Sequence, residues 1–282
     1  MARLQNLFSV KKYNSFVRPH LKIALVSLDQ KWEDKAWNLE RCKFFVKTAA
    51  EQNADLVIFP EMTLTGFSFN TLEIAESASN SETVQAFGAL ARQHNIGIVA
   101  GVVLTAASGK CLNTLVAFSK DGQEEARYHK IHPFSFAGEN AHFDSGDHLS
   151  SMDFCGFKLG FTICYDLRFP ELFSALSKDC NLLINIANWP QKRIQHWDTL
   201  LQARAIENQV YMIGVNRIGE DANGLNYVPS SKIISPVGEI MEHKFFTEEL
   251  SFVDVDLDLW LGYKKTFKTS PDRRVEFYKT IL

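Results

Sequence analysis

The feature that most constrains this chain is a series of short apolar segments separated by longer stretches with helical spacing. The segments 21–28 (LKIALVSL), 55–59 (DLVIF), 96–104 (IGIVAGVVL), 111–118 (CLNTLVAF), 157–164 (FKLGFTIC), 181–187 (NLLINIA), 210–216 (VYMIGVN) and 251–257 (SFVDVDL) are all strand-sized. Most run without polar alternation, which predicts sheets covered on both faces. Between them, 38–52 sets Leu39, Cys42, Val46 and Ala49/Ala50 on one stripe. Ser79-Asn-Ser-Glu82 has capping-box spacing ahead of a helix carrying Val84, Phe87 and Leu90. Further helices are expected over 170–177 and 194–208, the second with Trp197, Leu200, Leu201 and Ile206 as a core stripe. Asp121-Gly122 marks a turn, and a hairpin is expected about Pro236 to Glu239. Strands alternating with helices predict an α/β protein. No Ser/Gly/Pro-rich linker interrupts the pattern, so a single domain is expected over 21–260, with an N-terminal extension (1–20) and a C-terminal tail (261–282) that could pack on a partner subunit.

The 282 residues carry a net charge of only −3, which argues against a dedicated nucleic-acid binder. The apolar runs are too short to span a bilayer as helices, so no membrane role is expected. The five cysteines include no C-x-x-C pair, and an odd count fits free thiols in a reducing cytoplasm. The first 22 residues hold Arg3, Lys11, Lys12, Arg18 and Lys22, with no acid before Asp29. Such a stretch reads as an organellar transit segment or as a basic surface extension. The second reading is favoured, and with it a cytoplasmic location.

Three strand exits carry residues that can do chemistry, and in α/β folds such loops line the crevice where ligands bind. Glu61 follows the strand 55–59 and a proline, among Phe59, Met62, Leu64 and Phe67. It is either a solvated loop acid or a base in an apolar setting. Lys130, in RYHKIHPF (127–134), is either an exposed lysine or a site cation. The flanking His129 and His132 lack the acid or cysteine that would complete a metal set, so no metal is expected. Cys164 ends the strand 157–164, where the polar stretch YDLRFPEL begins. It is either a buried structural thiol, as expected for Cys42, Cys111 and Cys180, or a nucleophile whose thiolate is favoured by turn N–H groups and a nearby lysine. A free thiol is only a few per cent ionised at neutral pH, so a nucleophile here needs a base or cation beside it. A base, a cation and a nucleophile on three strand exits form a plausible acyl-transfer site. A papain-like Cys-His pair is disfavoured, because no histidine has an evident orienting partner.

These stretches (FPEM with Glu61, YHKIHPF with Lys130, CYDLRFPEL with Cys164) resemble the nitrilase superfamily of carbon–nitrogen hydrolases, in the family's order and over about residues 21–256. The resemblance implies an αββα four-layer sandwich and a Glu-Lys-Cys catalytic set with no cofactor. FAGENAHFDSG (136–146), ANWPQKRIQHWDTLLQARAIENQVY (187–211) and ISPVGEI are similar to the omega-amidase branch, which hydrolyses the terminal amide of 2-oxoglutaramate and related monoamides.

By that resemblance, Glu61 is the base, Cys164 the nucleophile, and Lys130 and the backbone N–H of Tyr165 the oxyanion donors. Glu139 matches a second glutamate that orients Lys130. Arg168 is expected either to bind a substrate carboxylate or to pair with Asp166 or Glu171. Trp189 and Phe134 are expected to wall the pocket, although Trp189 also reads as a core or dimer-interface residue. The implied partners are a small amide, water and a second copy of the chain. Alternatives are a deaminated-glutathione amidase, a true nitrilase, or a catalytically silent interaction protein, which would be expected to lack one of the three catalytic residues.

Overall fold

In the computed structural model, which describes residues 20–281, the alternating side chains of each apolar strand point into two different cores. In chain order the first half forms β1 (His20–Val26), α1 (Lys35–Glu51), β2 (Leu56–Ile58), α2 (Thr71–Ile74), α3 (Glu82–His94), β3 (Gly97–Thr105), β4 (Cys111–Phe118), β5 (Glu124–His129) and α4 (Glu139–His142). There follow β6 (Ser151–Phe154), β7 (Phe157–Ile163), α5 (Pro170–Leu176), β8 (Leu182–Ala187), α6 (Ile194–Asn208) and β9 (Tyr211–Asn216). The chain closes with β10 (Gly219–Glu220), β11 (Asn226–Tyr227), β12 (Lys232–Ile234), β13 (Lys244–Phe245), β14 (Leu250–Asp256), α7 (Leu257–Thr266) and α8 (Val275–Tyr278).

Two mixed sheets result, ordered β13-β14-β1-β2-β3-β4-β5 and β12-β9-β8-β7-β6. Ile23, Leu25, Leu56 and Ile58 of the first sheet meet Leu159, Phe161, Leu182 and Ile184 of the second in one shared core. The opposite faces are covered separately. Ala24, Val26 and Val57 pack under α1 and α3 through Cys42, Phe45, Val46 and Phe87. Leu183 and Met212 pack under α5 and α6 through Phe173, Leu176, Trp197 and Leu201. Four layers, αββα, follow from strands apolar on both faces. The central strands β7, β8 and β9 are parallel, as are β1, β2 and β3, so their C-terminal ends collect at one edge of each sheet.

The local elements agree with their sequence signals in part. The helix over 194–208 and the strand over 111–118 lie where expected. The helix carrying Val84, α3, is capped by Ser81, whose Oγ accepts from the Val84 N–H at 3.1 Å, not by Ser79. Glu76 serves in place of the box glutamate, accepting from Ser81 and Thr83. Ile206 is 49% exposed and leaves the core stripe of α6 to lie over the Gly238 turn. The boundary expected at 260/261 falls inside α7. Gln209 ties this tail to its own domain, accepting at its backbone carbonyl from Trp260 and donating from Nε2 to the Phe267 carbonyl. The extension lies, apart from His20, outside the described residues.

Candidate active site

Glu61 sits two residues past Phe59 on the loop leaving β2. Gln30 pins this loop, donating from Nε2 to the carbonyls of Glu61 and Met62 at 3.0 and 2.9 Å. Gly101 of β3 lies against it so closely that a Cβ there would stand 2.3 Å from the Met62 nitrogen. Met62 itself is left-handed, with φ 46°.

Lys130 leaves β5, its N–H bonded to the Asn113 carbonyl at 2.8 Å. Its Nζ donates to Glu61 Oε1 at 3.0 Å and to Glu139 Oε2 at 2.8 Å, and lies 5.2 Å from the centre of the Phe67 ring. All three charged side chains are buried. Asn113, near the start of β4, donates from one amide nitrogen to Glu61 Oε1 at 2.7 Å and Glu139 Oε1 at 3.0 Å, holding the two carboxylates in register. The backbone N–H of Asn188, past β8, donates to Glu61 Oε2 at 2.8 Å, and its side chain to the Glu61 carbonyl at 2.7 Å.

Cys164 begins a 3₁₀ turn, Cys164–Arg168, directly after β7, and is left-handed at φ 46°. That conformation is costly for a residue with a Cβ and persists only where the surroundings enforce it. Buried Asp166 supplies the enforcement. It accepts from the Ile163 N–H at 3.0 Å, the Tyr128 hydroxyl at 2.8 Å and the His132 N–H at 3.0 Å. The sharp turn delivers Sγ to the neighbourhood of the Glu61 carboxylate and to the Asn188 carbonyl at 4.0 Å.

The charge balance here departs from expectation. Two carboxylates face one ammonium, so the lysine leaves no surplus positive charge for a thiolate. Burial, and after it the Glu61 charge, push the Cys164 thiol well above the ordinary range, with Lys130 opposing. Burial alone would lower Lys130, yet the Glu139 and Glu61 carboxylates outweigh it and hold the amine charged. The resting site is therefore a protonated thiol beside a carboxylate base, not a preformed thiolate.

Sγ opens into a cavity of about 470 Å³, whose walls include Phe67, Phe134, Tyr165, Trp189 and Tyr227. Arg168 lines it. Its guanidinium lies 4.8 Å from the Trp189 ring and donates to His196 Nδ1 at 3.2 Å, rather than pairing with Asp166, whose oxygens are taken. Trp189 serves both roles read for it within the chain, packing on Trp197 in the outer core while facing the cavity. His132 does have an orienting partner, Asp166 at 2.9 Å, but it opens on a separate depression beyond Tyr165 and Phe169. His129 bonds instead to the Thr114 hydroxyl.

The structure gathers Glu61, Lys130, Cys164 and Glu139, the residues singled out in the sequence, into one cluster. Sequence reasoning missed Asn113, Asn188, Gln30 and the supporting role of Asp166. An amide inside the apolar run CLNTLVAF was the available signal for the first, since a buried amide needs partners.

Comparison with known proteins agrees with this geometry. The sequence profile of the carbon-nitrogen hydrolase family matches residues 22–265. The omega-amidase YafV of Escherichia coli is 36% identical over 223 residues, 79% of this chain and 84% of that protein. A 2-oxoglutaramate amidase of Bacillus subtilis is 28% identical over 91% of this chain and 98% of its own. A CN-hydrolase superfamily structure from Xanthomonas campestris superposes with a TM-score of 0.84 at 30% identity, over 90% of this chain and 97% of that one.

Proposed function

This chain belongs to the carbon–nitrogen hydrolase family and is a hydrolase of C–N bonds, and from that premise we propose that it cleaves the terminal amide of small dicarboxylic acid monoamides through a thioester on Cys164. The observation that carries the reading is the buried Glu61–Lys130–Cys164 cluster at the floor of an aromatic cavity. As Sγ attacks the amide carbon, Glu61 accepts the thiol proton. Lys130 Nζ and the Tyr165 N–H, one of the first N–H groups of a short turn, stabilise the oxyanion. Glu61 then protonates the departing nitrogen, and ammonia leaves. Water attacks the thioester with Glu61 again as base, releasing the acid and restoring the thiol. Glu139 holds the ammonium throughout, 2.8 Å from Nζ. Arg168, stacked on Trp189, faces the cavity to receive the substrate carboxylate. The exposed apolar residues of the tail, among them Leu261, Phe267 and Phe277, are proposed as contacts of a homodimer.

The cavity exceeds what a five-carbon monoamide fills, which favours one second reading, a larger acyl group such as that of deaminated glutathione. Ammonia release from 2-oxoglutaramate, succinamate and deaminated glutathione separates the two. Turnover of the short monoamides, lost in Cys164→Ala, supports the first reading. Preference for deaminated glutathione supports the second. A folded protein releasing ammonia from none of them contradicts both.

A further inference from the structure

Arg193 stands on the wall of the same cavity as Arg168, in the short turn Gln191–Arg193 before α6. Its carbonyl accepts the Trp189 indole N–H at 2.8 Å, which ties its backbone to the ring that Arg168 stacks on. Its guanidinium lies 5.4 Å from the centre of the Phe134 ring, and Phe134 packs against Tyr165 with centroids 4.8 Å apart. The two guanidinium groups thus rest on neighbouring walls. They are near enough to repel, since Arg168 is made less basic first by burial and then by the charge of Arg193.

Among the described residues, neither cation has a carboxylate partner. The carboxylate that does line the cavity, Asp221, is committed elsewhere. It accepts from the Tyr227 hydroxyl at 2.9 Å and from the backbone N–H groups of Asn223 and Leu225. A pair of partly buried like charges is costly unless an anion joins it. Stacking occupies the guanidinium faces, and apart from the one bond from Arg168 Nη2 to His196 it leaves N–H groups along the edges, which match a carboxylate in plane.

We propose that Arg193 forms, with Arg168, a two-guanidinium clamp for the carboxylate at the far end of the substrate from its amide, and that this clamp sets the preference for monoamides of dicarboxylic acids over neutral amides. The inference rests on the proposed function and adds the residue that enforces its selectivity. Phe134 and Trp189 act as the platforms that aim the two cations, and the clamp holds one end of the substrate while Cys164 meets the other.

The test compares kcat/KM for succinamate with that for 4-oxopentanamide, in which a methyl group replaces the charged oxygen. Wild type is expected to prefer succinamate. Arg193→Gln is expected to reduce that preference by about 10- to 100-fold, the range of one charge-assisted hydrogen bond. The loss falls on KM, and Arg193→Lys recovers part of it. The double variant with Arg168→Gln is expected to lose less than the product of the single losses, because both cations hold one anion. An equal fall for both substrates in Arg193→Gln, the mark of a structural role, overturns the clamp, as does an unchanged preference. Wild type that hydrolyses both amides without preference leaves the amidase reading intact and removes the clamp. Wild type that hydrolyses neither removes both.

Discussion

Cys164 shows how one residue's environment sets its chemistry. Its left-handed backbone lifts Sγ out of the strand, and its neighbours withhold ionisation until a proton acceptor is used. Alkylation by iodoacetamide, followed at Cys164 by peptide mass, is therefore expected to be slower at pH 7 than at a free cysteine. Its rate should rise with pH through an inflection above 9, the reference value for a thiol here. In Glu61→Gln one of the two facing carboxylates is gone, so the inflection should move to lower pH. An inflection at or below 9 in the wild type would refute the charge balance described above. The three residues proposed as catalytic were legible because each stands at a strand exit, Glu61 and Cys164 directly after apolar runs. Asn113 and Asn188 were not, because their meaning lies in partners 52 and 127 residues away. The direction of the thiol shift was misread for the same reason. The sequence shows that a lysine is near, but not that two carboxylates already neutralise it.

At the scale of elements, the site is a meeting of loops from β2, β5, β7 and β8, and its precision depends on how closely β3 approaches the first of them. Strand and helix positions were legible from apolar runs and spacing. The cap of α3 was not, because Glu76, outside the expected box, competes for the same donors. The close approach of Gly101 to Met62 was equally hidden, since nothing local to IGIVAGVVL marks one glycine as an abutment. Gly101→Ala would set a Cβ 2.3 Å from the Met62 nitrogen and 2.9 Å from the Glu61 carbonyl carbon. Both are backbone atoms and cannot rotate aside. The substitution is expected to cost about 1–3 kcal/mol of stability. Because a displacement of about 1 Å in a catalytic group can cost ~100-fold in rate, kcat should fall by about tenfold or more. Thermal unfolding and ammonia release measure the two effects, and a variant with full activity would show that the loop does not need this contact.

Across the whole molecule, two sheets share one core and each is shielded by helices, so a small set of ionisable groups, Glu61, Lys130 and Asp166 among them, is held away from water. The overall architecture was legible because strands apolar on both faces leave few alternatives. The tail boundary was not, since α7 continues without a composition break from β14. Burial on this scale has a consequence in alkali. Unfolded thiols ionise from about 9, whereas burial holds Cys180 protonated up to about 11 and pushes Cys42 well above 9. Groups raised by folding contribute stability that is complete below the unfolded pKa and is lost as pH climbs towards the folded one. Tm is therefore expected to fall progressively between pH 9 and about 11, and a Tm unchanged over that window would contradict it. The central claim, that all this structure serves a nucleophilic sulfur, is tested most directly by intact mass after rapid acid quench during turnover of 2-oxoglutaramate. An adduct on Cys164 weighing the substrate less ammonia, and missing in Cys164→Ala, is the predicted result; steady ammonia release with no such adduct, or undiminished in Cys164→Ala, would contradict it.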